Sequence, residues 1–121
     1  LVVERAAALK TWLSSQGYTS LQCEIPVQEH TPEGAQLPGV IDLLAFGPKG
    51  CMLIDHKTGG TGAGFGPYWP QLSSYAALVA KLFPQHTLHG VAVYWIDHGR
   101  LEMAPLPATV GSTSTVSEVG R

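Results

Sequence analysis

Charge is scarce in this sequence. Lys, Arg, Asp and Glu make up 13% of the 121 residues and leave a net charge of −2. The composition gives no support for nucleic-acid binding through a broad basic surface, and leaves room only for a narrow channel with a few basic groups. Cysteine is scarcer still. Cys23 and Cys51 stand far apart on expected strands and read as buried thiols in a reducing compartment, not as a disulfide framework or a zinc site. There is no signal peptide and no apolar run long enough to span a bilayer, so the sequence points away from membranes and towards the cytoplasm. The Gly-rich run Gly59–Gly66 is not followed by Gly-Lys-Ser/Thr and does not open a dinucleotide-binding helix. That excludes a P-loop and leaves a mobile loop that could drape over a ligand. The length suits one domain with a single core.

With so few charges, those inside apolar runs stand out. Val40-Ile41-Asp42-Leu43-Leu44-Ala45-Phe46 and Cys51-Met52-Leu53-Ile54-Asp55-His56-Lys57 flank the turn Gly47-Pro48-Lys49-Gly50. This reads as a β-hairpin. A turn of two or four residues pairs Phe46 with Cys51, Leu44 with Leu53 and Asp42 with Asp55; a turn of three or five shifts that register. Side chains alternate along a strand, so Asp55 shares a face with Lys57, and His56 points away. Two carboxylates on opposed residues repel unless something positive lies between them. Their oxygens suit a hard divalent cation, Mg²⁺ above all, and the lysine can steady a developing anion.

The flanking elements follow from periodicity. Val2, Ala6, Leu9 and Leu13 form the stripe of a helix over Val2–Gln16, stopped by Gly17. Leu1 falls in mid-helix, which reads as a fragment of a longer protein. Leu21–Gln28 is a strand with Pro26 near its end, and Glu29–Pro38 a polar loop. Tyr68–Phe83 is a second helix, with Pro70 in its first turn, Pro84 beyond its end, and a core stripe of Leu72, Ala76, Val79 and Phe83 widened by Leu78 and Leu82. Gln71 and Tyr75 form an i, i+4 pair at the edge of that stripe. Leu88–Trp95 is a strand and Leu101–Leu106 a last one. The domain is expected to span 1–106, with 107–121 a loosely held tail.

Three stretches together resemble a known family: Gly39-Val40-Ile41-Asp42, Ile54-Asp55-His56-Lys57-Thr58-Gly59, and Gln71-Leu72-Ser73-Ser74-Tyr75. A G-x-x-D strand, a D-x-K-T strand and a Q-x-x-x-Y helix in this order resemble the PD-(D/E)XK nuclease superfamily, and more narrowly the nuclease domain of RecB/AddA-type helicase–nucleases. The resemblance implies an α/β restriction-endonuclease-like core: a helix, a three-stranded antiparallel meander, a second helix and a further strand, in a mixed sheet flanked by helices. It implies a metal-dependent deoxyribonuclease, an exonuclease acting in DNA end processing, recombination and repair. Asp42, Asp55 and the backbone carbonyl of His56 would hold Mg²⁺ or Mn²⁺. Lys57 would activate water, and Gln71 and Tyr75 would support the site and contact DNA. A helicase domain in the same full-length chain and a partner subunit are implied as well. The family's further metal-binding His or Glu, on a helix upstream of the first strand, has no counterpart here. That keeps a second reading open: a non-catalytic module with the same fold, serving as a DNA-end clamp or a docking domain.

Overall fold

A computed structural model describes residues 2–59, 66–105 and 115–119. Helix α1 (Val2–Ser15) leads into strands β1 (Ser20–His30), β2 (Gln36–Gly47) and β3 (Gly50–Lys57). A 3₁₀ turn (Gly66–Tyr68) then opens α2 (Trp69–Leu82), followed by β4 (Leu88–Trp95), β5 (Arg100–Pro105) and β6 (Thr115–Glu118). The six strands form one sheet in chain order. All neighbours are antiparallel except β3 and β4. A parallel pair needs a crossover connection, and α2 lies in it. The architecture is the expected mixed sheet flanked by helices, with two strands beyond the four of the expected core.

The helices cover opposite faces of the sheet. On one face Leu9 and Leu13 of α1 pack against Leu43, Ala45, Met52 and Ile54. On the other, Ala76 and Val79 of α2 pack against Leu44, Phe46, Cys51 and Leu53. The central strands are therefore apolar on both faces, as buried strands must be. Helix α1 stops where the sequence supplies a residue free to turn left-handed. Gly17 has φ +97. Its N–H donates to Ser14 O at 3.0 Å, and the Tyr18 N–H donates to Leu13 O at 2.9 Å. This bond pair is the Schellman motif.

Several expectations need correction. The buried stripe of α1 is Leu9 and Leu13, with Ala8 and Trp12 partly buried, whereas Ala6 is exposed; the side chain of Val2 lies outside the described residues. Leu82 faces solvent, and Tyr75, expected at a boundary, is buried. Half of the polar stretch Glu29–Pro38 is strand, because pairing continues through Glu29↔Leu37 to His30↔Gln36. The true loop is 31–35, closed by the Thr31 N–H donating to Ala35 O at 2.9 Å. Polar composition there marks exposure of a two-stranded ribbon that runs beyond the rest of the sheet. Cys51 is buried as expected, but Cys23 is exposed on the edge strand, and both thiols are free. Within 107–121, Thr115–Glu118 pair with β5, while 106–114 lie outside the described residues, as do 60–65 of the Gly-rich loop. Among the described residues, no helix is long and apolar enough to cross a membrane.

Candidate active site

The β2–β3 hairpin sets the geometry. A two-residue turn, Pro48-Lys49, gives the pairs Gly47↔Gly50, Phe46↔Cys51, Leu44↔Leu53 and Leu43↔Ile54, where the ladder ends. The next residue back along β2 is Asp42 and the next forward along β3 is Asp55. The β1–β2 ladder also lapses at this point. It runs from Ser20↔Phe46 to His30↔Gln36 with one gap, at Glu24, which by count lies opposite Asp42. Glu24 has φ +52, the one described non-glycine residue in left-handed territory. Such a backbone is costly for a residue that carries a Cβ and unfit for a ladder.

Both neighbours therefore release β2 at Asp42, and the strand rotates there. Ile41, which strict alternation puts on one face with Leu43, instead joins the α2-side cluster with Ile25 and Val27. The Asp42 carboxylate takes up the pairing that the backbone has lost: its Oδ2 accepts the His56 N–H at 2.8 Å. It also comes within hydrogen-bonding range of Asp55.

Asp55 is 6% exposed and is the buried charged residue of the described chain. Lys57 Nζ lies 3.0 Å from its Oδ2. The ammonium is the partner of this buried oxygen, which accepts no further hydrogen bond. Burial pushes the Asp55 carboxyl up to about 6, and the adjacent Asp42 adds to the shift against the pull of Lys57. Two neighbouring carboxylates repel each other, and a cation between them relieves that repulsion. The ammonium of Lys57 also sits over the Tyr68 ring, 4.7 Å from its centroid.

His56 projects to the α1 face, its ring centroid 6.1 Å from that of Tyr94. Burial lowers its pKa, with Asp42 opposing. On α2, the Gln71 side-chain amide donates to the Tyr75 hydroxyl at 3.5 Å. That hydroxyl reaches the backbone of Val40, and the Tyr75 pKa is raised chiefly by burial and next by Glu29. A Cβ at Gly39 would lie 2.6 Å from the Tyr75 oxygen. The glycine of the G-x-x-D run is thus the gap into which the tyrosine fits, and Gly39, Asp42 and Tyr75 form one unit.

The structure brings Asp42, Asp55 and Lys57 together, with Tyr75 beside them and Gln71 reaching the site through Tyr75. Two participants escaped sequence reasoning. Tyr68 carried no signal beyond its place before Pro70, and Glu29 lay in a stretch read as loop. The start of the Gly-rich segment is anchored, because the Gly59 N–H donates to Asp97 Oδ2 at 2.7 Å. Two cavities, of about 360 Å³ between β1 and α2 and about 320 Å³ beside the hairpin turn, lie away from both acids.

The donor set fits a divalent cation of the Mg²⁺ type. Such an ion is held by one or two carboxylates and keeps several waters, and Asp55 Oδ2 is a buried oxygen with Lys57 beside it and no further hydrogen bond. Among the described residues, no group of three His, Cys, Asp or Glu side chains converges on one point, so any ion here keeps the rest of its shell from backbone, water or substrate. The model of the PD-(D/E)XK nuclease superfamily matches residues 2–112. The chain belongs to the PD-(D/E)XK nuclease superfamily. No curated protein matches the sequence. A nuclease-type function follows from membership in a superfamily of this kind, whose members typically use divalent metals.

Proposed function

We propose that this domain hydrolyses DNA phosphodiesters with Mg²⁺ or Mn²⁺ as an exonuclease of the RecB/AddA type, working beside a helicase domain in DNA end processing, recombination and repair. The observation that carries the proposal is Asp55: a nearly inaccessible carboxylate, its buried Oδ2 3.0 Å from Lys57 and accepting no further hydrogen bond. A structural module gains nothing from such a group, since burying it is costly.

Asp42, Asp55 and the His56 carbonyl would hold the metal, which would supply Lewis-acid chemistry to the scissile phosphate and to water. Asp42 is already oriented for this by its bond to the His56 N–H. Lys57 keeps a positive charge beside the carboxylates, where it orients the attacking water and offsets charge on the phosphate. Tyr75, with Gln71 bonded to its hydroxyl, fixes the strand that carries Asp42 and places the DNA backbone.

Linear DNA incubated with Mg²⁺ and the wild type, Asp55→Ala or Lys57→Ala tests the assignment. Each substitution is expected to lower cleavage by at least about 100-fold. Lys57→Ala is expected to leave Mn²⁺ affinity largely intact, while Asp55→Ala removes it. Undiminished cleavage in both variants sinks the site. An inert wild type that binds DNA equally with and without Mg²⁺ supports instead a clamp that keeps the fold without the reaction.

A further inference from the structure

We propose that Tyr68 is a positioning residue for Lys57, its ring face keeping the ammonium at the site when a cation engages Asp55. The proposal rests on the nuclease reading above and extends it to a residue outside the three motifs.

The Lys57 Nζ lies 4.7 Å from the Tyr68 centroid, well inside the range of about 6 Å over which a ring face attracts a cation. The ring is held from behind. Tyr68 closes the 3₁₀ turn and is the N-cap residue of α2. It packs against the cluster of Leu72, Val93 and Trp95, with its centroid 6.1 Å from that of Trp95. The Trp95 indole N–H in turn donates to Glu102 Oε1 at 3.4 Å.

Lys57 otherwise has Asp55 Oδ2 at 3.0 Å, on a side chain that is 26% exposed. That partner is conditional. A divalent cation on Asp55 more than cancels the carboxylate and repels the ammonium. The flexible four-carbon stem of a lysine has nothing of its own to resist that push. A second carboxylate placed there would compete for the cation or quench the lysine. An aromatic face does neither, because it attracts through a quadrupole and carries no net charge. Tyr68 therefore serves Lys57 in both states of Asp55.

The 121-residue chain, as wild type, Tyr68→Phe and Tyr68→Leu, tests this by two routes. By NMR, the ε-methylene protons of Lys57 are expected upfield of those of Lys10, Lys49 and Lys81 because of the ring current. The shift is expected to persist when Mg²⁺ is added and in Tyr68→Phe, and to vanish in Tyr68→Leu. On linear DNA with Mg²⁺, Tyr68→Leu is expected to lower kcat about tenfold with KM changed by less than about twofold, and Tyr68→Phe to match the wild type. A Lys57 signal that ignores the leucine substitution, a shift that collapses on adding Mg²⁺, or a phenylalanine variant as impaired as the leucine one overturns the proposal. An inert wild type defeats the nuclease reading instead, and the Lys57 resonance alone then decides whether Tyr68 holds the lysine.

Discussion

The β2–β3 hairpin has two ends built on different terms. At the turn end, Phe46↔Cys51 and Leu44↔Leu53 are paired, apolar and buried. At the open end the same two strands carry Asp42 and Asp55, the ladder has lapsed, and β1 has let go at Glu24. One end makes the hairpin stable, and the other makes use of that stability. A pair of carboxylates can be held at close range only if something else fixes the backbone, and here the sheet's two-sided apolar core does so. Real proteins break local rules where function requires it and compensate elsewhere.

Substitutions at each end should pull in opposite directions. The largest effect is expected at the turn end. Leu53 is 1% exposed, and Leu53→Ala should destabilise the fold by about 2–5 kcal/mol, read as a lower urea midpoint. A neutral substitution that left the midpoint unchanged would mean that the turn end is not the stable one.

The open end should show the reverse dependence on charge. Asp55 is pushed up to about 6 in the folded chain, against an ordinary 3.8. Between those values the folded state binds more protons than the unfolded one, so stability falls as pH rises through that window. The contribution is fully present below about pH 4 and lost above about pH 6, and a shift of this size corresponds to about 2–3 kcal/mol. Urea unfolding at pH 4 and pH 7 should show that loss in the wild type and lack it in Asp55→Asn. Mg²⁺ at pH 7 should recover stability in the wild type and leave Asp55→Asn unmoved.

Two smaller effects probe the join between α2 and the open end. Gly39→Ala places a methyl group 2.6 Å from the Tyr75 oxygen and should cost about 1–3 kcal/mol. Tyr75→Phe in the same chain should recover part of that cost, so a double-mutant cycle should give a clear coupling energy. Tyr75→Phe alone should cost about 0.5–1.5 kcal/mol, the worth of one hydrogen bond, and lower cleavage less than loss of Lys57 does.

The turn end was legible in the sequence because its determinants are local. The Gly47-Pro48-Lys49-Gly50 turn and strict alternation bring Leu44 opposite Leu53, and counting outward brings Asp42 level with Asp55. The open end was legible in which residues it contains but not in how they are held. Nothing local shows that Glu24 turns left-handed, that Ile41 changes face, or that Asp42 bonds to the His56 N–H. Those depend on three strands at once. Tyr75 was placed at a boundary because helical periodicity shows which side chains share a stripe, not how far the helix leans towards the sheet. Glu29 and Leu37 were read as loop because polarity follows exposure, and an exposed ribbon is as polar as a turn. Tyr68 meets Lys57 only because the crossover returns to the same face.

The left-handed backbone at Glu24 also bears on self-association. Strand β1 is the outer strand of the sheet, and an open strand edge is a template on which a second chain can add. A strand docking along it would meet misdirected groups at Glu24 and no N–H at Pro26, two residues on. Only short runs of regular edge remain on either side, too short to seed an extended ladder between molecules. The kink that releases Asp42 from β1 thus also guards the outer rim against fibrous stacking, so straightening β1 would expose the protein to aggregation as well as disturb its carboxylates.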